Sequence, residues 1–150
     1  MIEEGKPAPD FSLTASNNET VTLSQFKSKN VILYFYPKDN TPGCTREALS
    51  FRDDYKHYTE KNTVILGISK DSIKSHCNFI EKHNLPFLLL TDPDAKVCEL
   101  YDVIKEKVNF GKRYLGIERS TFIIDPDGKI KKIFRKVKVD SHSKQILEFL

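Results

Sequence analysis

The sequence predicts a single α/β domain in which a mixed β-sheet carries helices on both faces. Two short and strongly apolar runs, residues 31–36 and 64–69, have the length and composition of buried strands. Stretches with apolar residues at helical spacing follow both runs, and a hairpin pattern comes late in the chain. Helices that alternate with strands in the middle of a chain are typical of a sheet packed between two helical layers.

The first third of the chain is predicted to contain a hairpin, a buried strand and the start of a helix. Residues 11–13 and 20–23 form two short strands joined by a turn, which gives an N-terminal β-hairpin. Pro37 ends the buried strand, and residues 39–43 form a loop that contains Pro and Gly. A helix is then expected to begin near Cys44. Its apolar face is formed by Ala48, Phe51, Tyr55 and Tyr58.

Beyond the second buried strand, the pattern predicts three helices, a short strand and a hairpin. In chain order these are a helix at 71–83, a strand at 87–90, a helix at 92–101, strands at 120–124 and 129–134, and a helix at 141–150. Asp71 and Ser72 are suitable caps for the first of these helices, and Pro93 suits the first turn of the second. No linker or repeat divides the chain, so we expect residues 1–150 to form one domain.

Composition and charge are those of a globular protein and give no sign of a membrane or nucleic-acid role. Hydrophobic residues make up 39% and charged residues 30% of the 150 residues. The longest apolar run is too short to span a bilayer, and residues 1–5 contain no apolar signal segment, so we expect a cytoplasmic protein. The net charge is only +3, and the lysine-rich stretch 129–138 has the pattern of a strand with a solvated basic face.

The three cysteines, Cys44, Cys77 and Cys98, stand far apart in the sequence. They cannot form a disulfide scaffold, and the sequence has neither a CxxC pair nor two ligand pairs with zinc spacing. Cys44 falls where a helix is predicted to begin, and the unpaired N–H groups and dipole of a helix start stabilise a thiolate. Position alone leaves two interpretations, a nucleophile in a shallow, partly desolvated pocket or a small buried apolar residue.

The residues around Cys44 favour the nucleophile. Residues 34–45 read Tyr-Phe-Tyr-Pro-Lys-Asp-Asn-Thr-Pro-Gly-Cys-Thr and contain the pattern Pro-x-x-x-Thr-x-x-Cys at Pro37, Thr41 and Cys44. This stretch resembles the active-site motif of the peroxiredoxins, specifically the bacterioferritin-comigratory-protein or PrxQ group. The resemblance covers nearly the whole chain, including residues 8–13, 66–72, 90–92, 97–99 and 116–125. It implies a thioredoxin-like fold and a thiol-dependent peroxidase.

The resemblance also implies a role for each residue of the motif. Cys44 would attack a peroxide oxygen and become a sulfenic acid. Arg119, which falls on the family's active-site arginine, would stabilise the thiolate and hold a peroxide oxygen. Thr41 would form a hydrogen bond with the peroxide, and Pro37 would shield the sulfur from water. Backbone N–H groups near Gly43 and Cys44 would complete the polar cradle.

Each of these residues has an ordinary structural interpretation as well. Arg119 could be a surface ion-pair partner of Glu118, and Thr41 a simple loop or cap residue. Pro37 ends a strand in either case, which is compatible with shielding the sulfur. The implied chemistry needs no metal, flavin or haem, and the sequence offers no motif that binds one. The implied partners are a hydroperoxide substrate and thioredoxin or another thiol reductant, and the chain is expected to be a monomer.

Two routes for reducing the sulfenic acid stay open. Many members of the family carry a resolving cysteine five residues after the first, but that position is Leu49 here. Others place it on the helix after the next strand, which contains Cys77, although the subgroup's own position is nearer Ile80. Cys77 is therefore either the resolving cysteine, reached when the Cys44 helix partly unwinds, or a core cysteine in an enzyme that an external thiol reduces. Cys98 is expected to be a packing residue.

The main alternative to a peroxidase is a thiol redox sensor or a holdase-like binding protein on the same fold. The missing thiol at Leu49 leaves room for that function. A dithiol oxidoreductase is disfavoured because no CxxC pair is present. The histidines are outside the motif and are expected at the surface; they are His57, His76, His83 and His142.

Overall fold

The computed structural model describes residues 2–150, so Met1, the first residue of the predicted domain, lies outside the described residues. The strands in this range are β1 (Ser12–Ala15), β2 (Thr20–Thr22), β3 (Asn30–Phe35), β4 (Thr63–Ser69), β5 (Leu88–Thr91), β6 (Ile104–Asn109), β7 (Lys112–Ile117), β8 (Ser120–Ile124) and β9 (Ile130–Phe134). The α-helices are α1 (Pro42–Asp53), α2 (Tyr55–Glu60), α3 (Ile73–His83), α4 (Lys96–Leu100) and α5 (His142–Leu147). A 3-10 helix, Leu23–Phe26, follows β2.

Seven of the strands in residues 2–150 form one mixed sheet in the order β2-β1-β5-β4-β3-β8-β9. The three central strands β5, β4 and β3 are parallel, and β8 pairs with β3 in the antiparallel direction. The N-terminal hairpin of β1 and β2 extends the sheet by antiparallel pairing with β5. The predicted mixed sheet with an N-terminal hairpin is therefore confirmed. The candidate site lies at the end of the sheet that strands β3 and β8 share.

Side chains of β3 alternate between two buried clusters on opposite faces of the sheet, as the two-residue period of a strand requires. Val31, Leu33 and Phe35 lie in one cluster together with Val97 of α4. The other cluster contains Ile32, Tyr34 and Tyr36 and receives side chains from α1, α2, α3 and α5. The predicted placement of helices on both faces is confirmed. None of the helices in residues 2–150 has the length and apolar character needed to cross a membrane.

Helix α1 differs from its predicted form at both ends. It begins at Pro42 rather than near Cys44, so Pro42 and Gly43 belong to the helix and not to the preceding loop. Proline suits the first helical position, because its fixed φ is helical and the N–H it lacks would have no partner there. The helical pattern expected to run on to Tyr58 is broken at Asp54, after which the short α2 begins.

The β6–β7 hairpin was not predicted. Neither strand is buried along one face, and both contain several charged residues, so they lack the apolar alternation that marks a half-buried strand. The turn between them contains Phe110 and Gly111, both with positive φ (52° and 76°). Two-residue hairpin turns of this kind usually carry Asn-Gly or Asp-Gly, and Phe in the first position hides the signal.

Two histidines contradict the prediction that all four lie at the surface. His76 is fully buried and His142 is 2% exposed, whereas His57 is exposed and His83 half-buried. Burial of an imidazole is tolerated when both ring nitrogens find partners. His76 has the Asp39 carboxylate and a backbone carbonyl as partners, which ties the loop before α1 to helix α3.

Candidate active site

Cys44 is the third residue of α1, directly after the end of β3 and its connecting loop. Its side chain is buried, with the residue 2% exposed, so the sulfur is more enclosed than the shallow pocket expected from the sequence. Thr41 occupies the N-cap position, and the N–H groups of the first turn have no carbonyl one turn earlier to bond. Cys44 therefore lies in the first turn, at the positive end of the helix dipole.

Arg119 faces this sulfur from the other side, as the resemblance implied. Its Nη2 donates a hydrogen bond to Cys44 Sγ at 3.3 Å. The residue directly precedes β8, whose first residue pairs with Phe35 at the end of β3. The antiparallel β3–β8 pairing thus carries the guanidinium to the helix start. The interpretation of Arg119 as a partner of Glu118 is wrong, because its carboxylate partner is Glu47.

Gly43 allows the guanidinium to approach the helix this closely. A Cβ atom built on Gly43 would stand 3.2 Å from Arg119 Nη2, tighter than an ordinary contact. A side chain here would force the guanidinium to shift by a few tenths of an ångström, so the glycine has a steric role in addition to the predicted role of its backbone N–H.

Glu47 is the residue that sequence reasoning missed. It lies one turn after Cys44 on the same side of α1, and its Oε1 accepts a hydrogen bond from Arg119 Nη1 at 2.7 Å. Its other oxygen is buried without a partner among the described residues, as is the hydroxyl of Tyr34. A carboxylate beside the apolar positions Ala48 and Phe51 was the available signal, since such a charge on a buried helix face needs a partner.

The charges of Glu47, Arg119 and Cys44 are coupled. Burial raises the pKa of Glu47 to about 7, although the Arg119 guanidinium opposes this shift. Burial alone would lower the pKa of Arg119, but the neighbouring Glu47 and Cys44 outweigh it and raise the pKa above its ordinary value. The guanidinium therefore stays charged between a carboxyl and a sulfur that both gain from a nearby cation.

Thr41 and Pro37 lie in the segment that connects β3 to α1. The Thr41 hydroxyl donates a hydrogen bond to the carbonyl of Lys38 at 2.8 Å, so its proton is engaged and its oxygen lone pairs are left to accept. Pro37 is half-buried and follows the last residues of β3. Both residues lie in the motif loop, as predicted, and Thr41 also has the cap position that its structural interpretation assigned.

Cys77 lies on α3 and is exposed, so the interpretation of this residue as a core cysteine is wrong. Its sulfur donates a hydrogen bond to the backbone carbonyl of Ser16 at 3.2 Å. Together with Ile80 and Phe87, it lines a cavity of about 620 Å³. Cys98, in contrast, is fully buried in the cluster on the opposite face of the sheet, which confirms its packing role. Burial, followed by the nearby Asp92, raises the pKa of Cys98 far above its ordinary value.

Comparison with known proteins identifies the family. Residues 5–133 match the family model described as "AhpC/TSA family". The chain is 54% identical over 149 residues to "Peroxiredoxin Bcp" of Bacillus subtilis. The aligned region covers 99% of this chain and 95% of that protein. The chain belongs to the Bcp/PrxQ group of peroxiredoxins. It is therefore a thiol peroxidase that reduces peroxides.

Solved structures of this group share the fold of the peroxiredoxin described here. A mutant of Xylella fastidiosa PrxQ has a TM-score of 0.94 and 39% identity, with 99% of this chain and 94% of that chain covered. Bacterioferritin comigratory protein of Xanthomonas campestris, described with its alkyl peroxide reduction activity, has a TM-score of 0.91 and 41% identity, with 97% of this chain and 96% of that chain covered. The thioredoxin-like fold implied by the resemblance is confirmed.

The raised pKa of Glu47 makes stability depend on pH. Between about pH 4.5, its ordinary pKa, and about pH 7, the folded chain keeps a proton on Glu47 that the unfolded chain has lost. Folding stability from this group therefore falls as the pH rises through that window. We expect the free energy of unfolding of Glu47→Gln, relative to the unchanged protein, to rise by on the order of 1–3 kcal/mol from about pH 5 to about pH 7.

Urea unfolding at the two pH values measures this difference. Glu60→Gln, at an exposed position on α2, is the control and should change far less. A difference for Glu47→Gln that stays constant across the window would contradict the burial cost assigned to this carboxyl.

Proposed function

We propose that Cys44 is the peroxidatic thiolate of this peroxiredoxin. The sulfur attacks one oxygen of the hydroperoxide, an S–O bond forms and the O–O bond breaks. The other oxygen leaves with the electron pair, takes up a proton and departs as water or an alcohol, and Cys44 becomes a sulfenic acid. The contact of 3.3 Å between Arg119 Nη2 and Cys44 Sγ carries this proposal.

The surrounding groups match the charges of that step. The Arg119 guanidinium stabilises the thiolate before the attack and the negative charge on the departing oxygen during it. The Thr41 oxygen accepts a hydrogen bond from the peroxide, because its own proton is engaged with Lys38. Free N–H groups at Gly43 and Cys44 complete the cradle, and Pro37 limits the access of water. Glu47 is a positioning residue that fixes the direction of the guanidinium.

Cys77 is proposed as the resolving thiol. Its sulfur attacks the sulfenic sulfur of Cys44, the S–S bond forms, and the hydroxyl leaves as water with the thiol proton. Because Cys77 is exposed, it is not a core cysteine. A disulfide formed at this position would be accessible to thioredoxin or another thiol reductant. Direct reduction of Cys44 by an external thiol is the alternative. The cytoplasmic location and the monomeric state stay predictions from the sequence.

Substitution of the individual cysteines tests the site. Cys44→Ser should abolish peroxide consumption, since a serine hydroxyl cannot supply the nucleophile. Cys98→Ala should keep most of the activity, because this cysteine is buried on the other face of the sheet. The measurement is hydrogen peroxide consumption over many turnovers with thioredoxin and its reductase. Equal activity of the two variants would refute the assignment of Cys44, and a single turnover in the unchanged protein would favour the redox-sensor alternative.

Oxidation with one equivalent of hydrogen peroxide tests the resolving thiol. We expect mass spectrometry of the digested protein to find a Cys44–Cys77 disulfide. Cys77→Ala is the matched control and should leave a Cys44 sulfenic acid that a dimedone probe traps. A trapped sulfenic acid in the unchanged protein, with Cys77 free, would replace this route by reduction through an external thiol.

A further inference from the structure

A buried polar network connects the active-site loop to helix α3. Asp39 lies between Pro37 and Thr41 in that loop and is 4% exposed. Its carboxylate accepts hydrogen bonds from the Tyr36 hydroxyl at 2.5 Å and the Ser75 hydroxyl at 2.7 Å, and it faces His76 Nδ1 at 2.8 Å. Burial raises the pKa of Tyr36 well above its ordinary value, so that hydroxyl remains a donor.

Both ring nitrogens of His76 have polar partners inside the protein. Nε2 lies 3.1 Å from the carbonyl of Leu90, which only accepts, so Nε2 carries a hydrogen. Nδ1 lies 2.8 Å from the Asp39 carboxylate and 3.3 Å from the Tyr36 hydroxyl. Asp39 and His76 therefore form a buried, fully hydrogen-bonded pair in which each side chain has all its partners inside the protein. Removal of one member of such a pair leaves an unsatisfied buried group and is strongly destabilising.

The neighbouring Asp71 closes the network. Its Oδ2 accepts hydrogen bonds from the backbone N–H of Asp39 at 2.8 Å and the hydroxyl of Ser69 at 2.7 Å. Asp39, Asp71 and His76 lie close enough together to hold a cation, with ligand atoms within 4.8 Å of one another. Hydrogen bonds within the network already satisfy these groups, so the arrangement serves the connection between the loop and α3.

Cys77 points away from this connection. Successive residues turn by about 100° around a helix, so Cys77 projects about 200° from Ser75. Ser75 contacts Asp39 on the active-site side, whereas the Cys77 sulfur contacts Ser16 of the N-terminal hairpin segment. A bond between Cys77 and Cys44 therefore requires the start of α3 or the start of the Cys44 helix to rearrange. Either rearrangement moves the Cys44 loop relative to Ser75 and His76, which hold Asp39.

We propose that the Asp39–His76 pair is a latch that holds the Cys44 loop and α3 in the packed arrangement and limits how fast the Cys44 sulfenic acid meets Cys77. Asp39 and His76 are thus positioning residues for the resolving step. Only the rate of the resolving step depends on the proposed role of Cys77; the connection between the loop and α3 does not. While the latch is closed, a second hydroperoxide molecule can oxidise the sulfenic acid to a sulfinic acid and leave as water or an alcohol.

Amide hydrogen exchange of the reduced protein tests the latch without any peroxide. We expect His76→Gln to speed exchange by at least about tenfold in both residues 38–45 and residues 73–80. His142→Gln is the matched control, since it removes the other buried histidine, which contacts Thr121 outside this network. Should His76→Gln fail to fold, Ser75→Ala removes one neutral hydrogen bond to the same carboxylate and should give the same pattern at roughly threefold. Unchanged exchange in either segment, or an equal increase in the control, would overturn the proposal.

Oxidation to sulfinic acid gives a second measurement, which substitution of a merely structural residue would leave unchanged. The hydrogen peroxide concentration that converts half of Cys44 to sulfinic acid should be about tenfold higher in His76→Gln than in the unchanged protein, because the disulfide forms sooner. His142→Gln should match the unchanged protein. A lower or equal threshold in His76→Gln would refute control of the resolving step. If neither protein forms the Cys44–Cys77 bond, the proposed role of Cys77 fails, and the exchange data alone decide the latch.

Discussion

The contact between the Arg119 guanidinium and the Cys44 sulfur is the interaction on which the rest of the site depends. Three independent parts of the fold produce it. The antiparallel pairing of β8 with β3 delivers the arginine, the start of α1 delivers the cysteine, and Gly43 leaves the space between them. Glu47 then holds the guanidinium from the far side. A fixed cation and a helix start therefore both lie beside the Cys44 sulfur before any peroxide arrives, and such preorganised charge is what would favour the transition state of the proposed reaction.

This arrangement conflicts with the stability of the folded chain. Glu47 is 1% exposed and one of its oxygens has no partner among the described residues, so its charge is desolvated and only partly compensated. The Arg119 guanidinium is shared between the Glu47 carboxyl and the Cys44 sulfur. Incomplete pairing of this kind is tolerated at a functional site because the remaining core supports it. Here the support comes from two apolar clusters, one on each face of the sheet.

Sequence reasoning identified most strands and helices because their apolar periodicity is strong, and it identified Cys44 and Arg119 because the motif is specific. It did not identify what depends on contacts between distant segments. The sequence does not show which residues lie opposite Glu47 and His76, and only the partners brought to them by folding, Arg119 and Asp39, make their burial possible. The exposure of Cys77 was not predicted for the same reason, since its helical face is apolar but meets a hairpin turn and a cavity rather than the core.

The rate of the first step shows whether the Arg119 guanidinium prepares Cys44 for reaction with peroxide. The measurement is the second-order rate constant for reduced protein and hydrogen peroxide in a single turnover. Arg119→Ala should lower it by about 10²- to 10³-fold, as removal of a preorganised donor does in other enzymes. Arg46→Ala, which removes an exposed arginine of α1 paired with Asp140, should leave it nearly unchanged. A rate constant for Arg119→Ala equal to that of Arg46→Ala would contradict the account.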